Sequence, residues 1–283
     1  MMYKKICDNP NSLHHLRAKK TEVLLTKLQS LLQSYNRVAI GFSGGVDSTF
    51  LLWTALDALG CENVLAIIAD TPTLPRREFA EALRIAEQLG AQVSVVIPNE
   101  LSDPAYVANP PERCYICKKR IFSVIRDEAV AKGFNVLLDG SNVDDKGDFR
   151  PGRRAVAELG VKSPLEELGI GKQQIRAWSA EVGLPTAQKP AMACLATRIP
   201  FGVPVTIEAL AQIERAEEAL HDLGFVQCRV RHHGDTARIE VPEDDIEKLL
   251  APDVRKQVAH AVKSAGYRFV ALDLLGYRMG NLN

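Results

Sequence analysis

Four short apolar runs that alternate with helical segments constrain the fold of this 283-residue chain more than any other feature. The apolar runs are 37–42, 64–69, 92–97 and 135–138. The helical segments between them are 49–59, 77–89 and 116–131. Strands of buried parallel sheets are continuous apolar runs, and strands that alternate with helices build such sheets. The sequence therefore predicts an α/β fold, a doubly wound parallel sheet with helices on both faces, preceded by an amphipathic helix at 12–34.

A second series of elements begins near residue 206, after a less regular stretch that contains one predicted helix, 172–182. Thr206 is the expected N-cap of its first helix. Helices are predicted at 207–223, 244–250 and 252–265, and strands at 225–230, 236–241 and 269–274. A chain of this length accommodates two domains. We therefore predict a larger domain that ends at 205 and a small α/β domain at 206–283.

The charge of the chain is balanced, with 35 Lys and Arg against 35 Asp and Glu. A neutral chain has no global field that attracts nucleic acid or a membrane, so a local basic cluster must hold any anionic ligand. No apolar run approaches the ~18 residues of a membrane span. The first 20 residues contain no apolar signal-peptide core. We expect a cytoplasmic protein.

The string Ser43-Gly-Gly-Val-Asp-Ser48 lies between the first predicted strand and an apolar helix. The first turn of a helix has unpaired N–H groups and the positive end of the dipole, so anions bind there. Gly44 and Gly45 allow the backbone to approach phosphate oxygens, and Ser43 and Ser48 add hydroxyl donors. Asp47 would repel phosphate unless Mg²⁺ lies between them. The alternative is a tight strand–helix turn without a ligand.

Three of the six cysteines form a second candidate site. Cys114 and Cys117 form a C-x-x-C, and Cys194 follows 77 residues after Cys117. Three thiolates leave a tetrahedral zinc site incomplete, whereas they would hold a 4Fe–4S cluster by three irons and leave the fourth iron open to sulfide. The alternatives are a redox pair or half a zinc site with His232 or His233, and for Cys194 a small buried apolar residue.

The phosphate loop resembles the PP-loop of the ATP pyrophosphatase superfamily, with its S-G-G-x-D-S signature. A Walker A loop and a dinucleotide-binding loop are excluded, because the loop at 43–48 contains neither Gly-Lys-Ser/Thr nor Gly-x-Gly. The resemblance implies an adenine nucleotide alpha hydrolase-like fold and a loop that grips the β,γ-pyrophosphate of ATP. The substrate then attacks the α-phosphorus, and pyrophosphate leaves. Adenine is expected near Ala69 and Thr71.

Further segments resemble the LarE-type sulfur-inserting enzymes of nickel-pincer cofactor biosynthesis. They are 42–48, 148–152, 198–202, 228–235 and 272–278. The resemblance covers the chain from about 20 onward and implies an N-terminal extension at 1–20, an ATP-binding domain at 21–205 and a substrate or oligomerisation domain at 206–283. It also implies a homo-oligomer.

The family converts carboxylates of pyridinium-3,5-dicarboxylate mononucleotide to thiocarboxylates through an adenylylated intermediate, with release of AMP and pyrophosphate. One branch sacrifices a single cysteine in the loop that carries Cys194 here. Another branch holds a 4Fe–4S cluster with three cysteines, and the additional Cys114 and Cys117 resemble that branch. The resemblance therefore implies that Cys114, Cys117, Cys194 and Asp47 are catalytic.

Five arginines are candidate ligands of the nucleotide or the substrate. Alternation along a strand places Arg229 and Arg231 on one face, and with Arg278 they are expected to form a basic pocket for phosphate or carboxylates. The alternative is a solvated strand face. Arg150 is a candidate for ATP and Arg198 for the substrate.

Four acidic residues are weaker candidates for metal binding. Asp144 and Asp145 follow the fourth strand, where ligands of parallel sheets bind, so they either hold Mg²⁺ or cap a loop. Glu240 and Asp273 are metal candidates in the second domain.

Three other functions are compatible with the phosphate loop. A PP-loop ligase that adds nitrogen would have no use for three cysteines. A tRNA-thiolating enzyme would need a basic RNA-binding surface, against which the neutral net charge argues. A nucleotide sensor would bind ATP without releasing pyrophosphate.

Overall fold

The computed structural model describes residues 19–147, 151–191 and 193–278. These residues form two compact units. The N-terminal unit contains the described residues of 19–71, 76–100 and 114–191, and the C-terminal unit contains 72–75, 101–113 and 193–278. None of the helices in these ranges is long and apolar enough to cross a membrane.

Helices and strands are numbered along the chain. The helices are α1 Lys19–Tyr35, α2 Val46–Leu59, α3 Arg76–Leu89, α4 Pro104–Val107, α5 Arg113–Ala131, α6 Pro151–Glu158, α7 Pro164–Glu167, α8 Lys172–Glu181, α9 Ile207–Asp222, α10 Glu243–Leu250 and α11 Pro252–Ser264. The strands are β1 Val38–Gly41, β2 Val64–Ala69, β3 Gln92–Val96, β4 Leu137–Leu138, β5 Arg229–His233, β6 Thr236–Glu240 and β7 Phe269–Leu272. Short 3₁₀ helices lie at Cys61–Asn63, Glu100–Ser102, Val143–Gly147 and Leu195–Arg198.

The sheet of the N-terminal unit is parallel and has the strand order β3-β2-β1-β4. Val38 pairs with Val64 on one side of β1, and Ala39 pairs with Leu137 on the other. The chain thus builds the sheet outward from β1 in one direction and then returns to the other side of β1. This order confirms the predicted α/β fold and makes the junction of β1 and β4 its topological switch point.

Both faces of this sheet are covered by helices because its strands are apolar on both sides. Val38 and Ile40 of β1 belong to a core cluster with residues of α1, α2, α3 and α8. Ala39 of the same strand packs in a second cluster, with Phe122 and Ile125 of α5. The alternation of side chains along β1 therefore sends neighbouring residues into two separate cores.

The C-terminal unit contains a three-stranded sheet of order β5-β6-β7. β5 and β6 are antiparallel and β6 and β7 are parallel. Phe225, Val230 and Ile239 pack with Val258 and Val262 of α11 in its core.

Among the predicted boundaries that differ from the structure, two have clear local reasons. α2 begins at Val46, not at 49, so Asp47 and Ser48 lie in its first turn. β5 begins at Arg229, not at 225, because α9 ends in a Schellman motif. The N–H groups of Gly224 and Phe225 donate there to the carbonyls of His221 and Leu220, and the Phe225 side chain is buried.

Candidate active site

The phosphate loop and the end of β4 meet at the switch point of the parallel sheet. The loop Ser43–Ser48 follows β1, and Asp139-Gly140 follows β4, the neighbour of β1. A Cβ atom at position 140 would lie 2.9 Å from the backbone nitrogen of Ser48 and 3.1 Å from its Cα. Only glycine permits this approach, so Gly140 supports the first turn of α2 from the side of β4.

The loop itself is shaped by its two glycines. Gly44 has a φ of +69°, and a Cβ atom there would lie 2.8 Å from Cβ of Ala82. Gly45 is the N-cap of α2, with extended backbone and no side-chain cap. The N–H groups of the first helical turn therefore have no side-chain partner at the N-cap, which is the arrangement that binds phosphate.

The two serines of the loop have different environments. Their hydroxyls are 3.1 Å apart, and Oγ of Ser48 donates to the Gly45 carbonyl at 3.2 Å. Ser48 is buried and Ser43 is exposed. Ser48 thus stabilises the loop from within, and Ser43 is the serine whose hydroxyl is accessible to a ligand.

Asp47 is a half-buried carboxylate whose charge is incompletely balanced. Burial raises the pKa of Asp47, Lys172 opposes that rise, and the charge of Asp145 adds to it. Nζ of Lys172 is 3.5 Å from Oδ2, whereas Oδ1 is buried and has no hydrogen-bond partner among the residues that the structure describes. An unpaired buried carboxylate oxygen is costly, and a hard divalent cation satisfies it. Asp47 therefore fits the predicted Mg²⁺.

The two acidic residues after β4 accept hydrogen bonds from backbone N–H groups. Oδ2 of Asp144 accepts a bond of 2.6 Å from the backbone N–H of Lys172, at the start of α8. Asp145 accepts from the backbone N–H of Asn142 at 3.1 Å. Asp144 therefore binds the first N–H of α8, a contact other than the loop cap that was predicted, and its binding of Mg²⁺ stays a prediction.

Three cations near the loop were not found by sequence reasoning. Lys172 faces Asp47, and Arg176, four residues later on α8, donates to the carbonyls of Ala187 and Lys189 at 2.7 Å each. Nζ of Lys189 donates to the carbonyl of Gly44 at 3.2 Å. Lys172 and Arg176 have helical i,i+4 spacing, which puts both on one face of α8, but no local pattern indicates which partners they reach.

The predicted adenine site lies at the end of β2. Ala69 is the last residue of that strand, and Thr71 is buried. Arg76 pairs with Asp70 at 2.5 Å and donates to the Thr71 carbonyl at 2.6 Å, so it closes this turn. Arg150, the other predicted ATP ligand, lies outside the described residues.

The three cysteines are divided between the two units. Cys114 is exposed and Cys117 is half-buried in the first turns of α5, where a spacing of three residues puts both on one helix face. Cys194 is half-buried and directly precedes the 3₁₀ helix Leu195–Arg198. In the part of the chain that the structure describes, no three His, Cys, Asp or Glu side chains are gathered for a metal ion.

Arg198 is fully buried and binds protein groups in the loop that carries Cys194. Its Nε and Nη2 donate to the two carboxylate oxygens of Glu217 at 2.9 Å each. Its Nη1 donates to the carbonyls of Ala193 at 2.7 Å and Cys194 at 3.0 Å. Arg198 thus fastens the Cys194 loop to α9, and its contact with a substrate stays a prediction.

Arg229 and Arg231 are both buried, so they do not form a solvated strand face. Arg229 lies over the Tyr277 ring, 5.2 Å from its centroid, and burial lowers the pKa of Arg229, as does the charge of Arg198. Nη2 of Arg231 is 2.7 Å from Oε2 of Glu240. The buried cluster is therefore rich in guanidinium groups that suit planar anions.

The remaining candidates of the C-terminal unit are ion-paired or exposed. Arg238 pairs with Glu240 at 3.3 Å and with Asp273 at 3.2 Å, so both acidic candidates for metal binding have arginine partners. Arg278 is exposed.

Known proteins are similar in sequence to most of this chain. The sequence profile of the NAD synthase family matches residues 18–104. The pyridinium-3,5-bisthiocarboxylic acid mononucleotide synthase of Lactiplantibacillus plantarum is 40% identical over 256 residues, which cover 90% of this chain and 92% of that protein. An uncharacterized protein of Synechocystis sp. is 40% identical over 264 residues, 92% of this chain and 98% of its own. An uncharacterized protein of Methanocaldococcus jannaschii is 31% identical over 242 residues, which cover 86% of this chain and 91% of that protein.

Substitution of Gly140 by Ala should weaken the use of ATP. The new Cβ must displace the backbone of Ser48, and overpacking of this kind costs ~1–3 kcal/mol of stability. We expect Gly140→Ala to raise the KM for ATP in a pyrophosphate-release assay. Gly169→Ala is the matched control, because its φ of +69° strains an alanine while no atom lies within 4 Å of the new Cβ. An unchanged KM in Gly140→Ala would contradict the proposed support of the loop.

Substitution of Asp47 by Asn should stabilise the ligand-free protein at neutral pH. Because burial raises the pKa of Asp47, the folded state holds this proton more tightly than the unfolded chain. The stability that this tighter proton binding gives the folded state is fully present below the ordinary pKa of ~3.9 and is lost as the pH rises through the folded-state pKa. Asparagine cannot ionise, so Asp47→Asn should unfold at higher urea concentration than the parent at about pH 7, with a difference that shrinks toward about pH 4.

The control for the substitution is Asp127→Asn, since the Asp127 side chain is 73% exposed. Asp127→Asn should unfold at the same urea concentration as the parent at about pH 7. A parent that is more stable than Asp47→Asn at neutral pH would show that Asp47 is not a strained carboxylate.

Proposed function

This chain belongs to the family of LarE-type sulfur-inserting enzymes, and we propose that it converts carboxylates of pyridinium-3,5-dicarboxylate mononucleotide to thiocarboxylates at the expense of ATP. Membership makes it an ATP-dependent sulfurtransferase of the PP-loop type. The observation that carries the substrate is the 40% identity, over 90% of the chain, to a protein named for the bisthiocarboxylic product. The loop at the N-terminus of α2 supports the use of ATP independently.

The first step activates a carboxylate, which is a poor electrophile. One carboxylate oxygen attacks the α-phosphorus of ATP, the bond to the bridging oxygen breaks, and pyrophosphate leaves with that electron pair. The N–H groups of the first turn of α2 and the Ser43 hydroxyl bind the outer phosphates. Asp47 would hold Mg²⁺, which neutralises charge on the departing pyrophosphate when bound. The turn after β2, with Ala69 and Thr71, is the proposed adenine site, and Arg150 a further ATP ligand.

The second step replaces the adenylyl group by sulfur. A sulfur nucleophile attacks the acyl carbon, and AMP leaves with the electron pair of the carbon–oxygen bond. Arg229, Arg231 and Arg278 are proposed to bind the phosphate and carboxylates of the substrate, because guanidinium groups bind such planar anions with two parallel hydrogen bonds. In this proposal the C-terminal unit binds the substrate and the N-terminal unit binds ATP.

The source of the sulfur is proposed to be a 4Fe–4S cluster held by Cys114, Cys117 and Cys194. The i,i+3 spacing of the first two on one helix face, and the accessible thiol of Cys114, support this ligand set. Such a cluster supplies an open iron that binds sulfide. The alternative, favoured by the half-buried Cys194 in a loop fixed by Arg198, is that Cys194 itself is the sulfur donor.

Other properties follow from the same proposal. A mononucleotide substrate requires neither a membrane nor a nucleic acid partner. Cytoplasmic location and assembly into a homo-oligomer are likewise proposed from the family, with residues 206–283 as the part that assembles.

The simultaneous replacement of Asp47 and Ser48 by Ala tests the energy source. The double variant loses the Mg²⁺ ligand and the hydroxyl that stabilises the loop, so pyrophosphate release should fall at least ~100-fold. The measurement is anaerobic incubation with ATP, sulfide and the dicarboxylate mononucleotide, with pyrophosphate and thiocarboxylate quantified. A double variant that releases pyrophosphate at the parent rate would refute the proposed function.

Mass spectrometry of the protein after turnover distinguishes the two sulfur sources. If the cluster delivers sulfide, the protein keeps its mass, and Cys114→Ala loses both the visible absorption of the cluster and thiocarboxylate formation. If Cys194 is consumed, the protein loses the mass of one H₂S at that residue, and Cys114→Ala remains active. Cys228→Ala is the control, because this thiol is fully buried in the core of the C-terminal unit.

A further inference from the structure

Lys189 is a nearly buried lysine that the motifs of the sequence do not explain. Only 11% of its side chain is exposed. Its Nζ lies 2.6 Å from Oε2 of Glu78 and 2.7 Å from Oε2 of Glu81, and it donates to the Gly44 carbonyl at 3.2 Å. An ammonium group has three N–H donors and no acceptor, so these three partners use it completely.

The Gly44 carbonyl belongs to the peptide unit that joins the two glycines of the phosphate loop. A peptide unit is planar and trans, so the direction of this carbonyl also fixes the direction of the Gly45 N–H, on the opposite side. Gly44 is in the left-handed region, with a φ of +69°, and glycine tolerates several orientations of such a peptide. The Gly45 N–H donates to Oγ of Ser43 at 3.4 Å, so a rotation of this unit would turn a carbonyl oxygen, rather than an N–H, toward the exposed serine of the loop.

Lys189 is itself held in place. Arg176 donates to the carbonyls of Ala187 and Lys189 at 2.7 Å each, which fixes the backbone of this segment against α8. Glu78 and Glu81 lie on α3, on which Ala82 packs against Gly44. The ammonium therefore connects three separate segments of the N-terminal unit at one carbonyl of the loop.

We propose that Lys189 is a positioning residue that locks the Gly44–Gly45 peptide in the orientation that binds the outer phosphates of ATP. This inference rests on the proposed function, because it assigns Lys189 to the loop that grips pyrophosphate. Lys189 does not itself contact phosphate, because its donors are occupied by Glu78, Glu81 and Gly44. A lysine that bound phosphate directly would have to leave at least one of these partners.

Calorimetric titration of Lys189→Met with Mg-ATP and with AMP tests the proposal. Loss of one charge-assisted hydrogen bond corresponds to ~10-fold or more in affinity, so ATP should bind at least that much more weakly. AMP lacks the outer phosphates and should bind as to the parent. Equal losses for ATP and AMP would show a merely structural role, and unchanged ATP binding would also overturn the proposal. Lys132→Met, which removes an exposed lysine paired with Glu128, is the matched control.

A second variant separates the lock from direct phosphate binding and is expected to fold, because its site is 31% exposed. In Glu81→Gln the ammonium loses one anchor. If Lys189 fixes the Gly44–Gly45 peptide, the loss of this partner loosens the peptide, and ATP binds more weakly than to the parent. If Lys189 instead binds phosphate directly, the loss frees its ammonium group, and ATP binds as tightly or more tightly, which would overturn the proposal. If the parent does not prefer ATP to AMP, the proposed function fails and this inference with it. If the parent prefers ATP and both variants keep that preference, only the inference fails.

Discussion

The close approach of two glycine backbones to their neighbours is the constraint on which the N-terminal unit depends. Gly140 lies against the backbone of Ser48, and Gly44 lies against Ala82 of α3. Neither position has room for a Cβ atom, so the start of α2 is enclosed from the side of β4 and from the side of α3. A helix N-terminus that is fixed in this way binds an anion without first becoming ordered, which favours affinity.

The same junction concentrates charge at a cost in stability. Asp47 is half-buried with one unpaired oxygen among the described residues, and Lys172 at 3.5 Å compensates it only in part. Lys189, in contrast, is fully paired within the same unit. Asp47 thus has an oxygen without a partner, whereas every N–H of the Lys189 ammonium has one. A ligand that binds the carboxylate of Asp47 explains this difference best, since folded chains seldom retain an unbalanced buried charge without a function.

Sequence patterns predicted those features that depend on neighbours along the chain. The apolar run 64–69 is β2 at the same residues, and each of Gly60, Gly90 and Gly224 has a positive φ and lies just beyond the end of a helix. The start of α2 was predicted three residues late because its polar first turn lacks the apolar pattern of the helix. The roles of Lys172 and Lys189, and the membership of 72–75 and 101–113 in the C-terminal unit, depend on contacts between distant segments, which no local pattern records. Arg198 was predicted from its motif alone, and its burial against Glu217 follows only from tertiary packing.

A balanced net charge is compatible with a substrate that carries a phosphate and two carboxylates. Surface charges are screened within about 10 Å at ordinary ionic strength, so the net charge of the whole chain contributes little to the recognition of a ligand at one site. Charges in a partly buried cluster interact more strongly, because the effective dielectric constant is lower there than in water. The C-terminal unit places Arg198, Arg229 and Arg231 in its interior, where burial and mutual repulsion already lower the pKa of Arg229. Arg198 and Arg231 are already paired there with Glu217 and Glu240, so the local arrangement of charges, not the number of arginines in the sequence, is what an anion would meet in this unit.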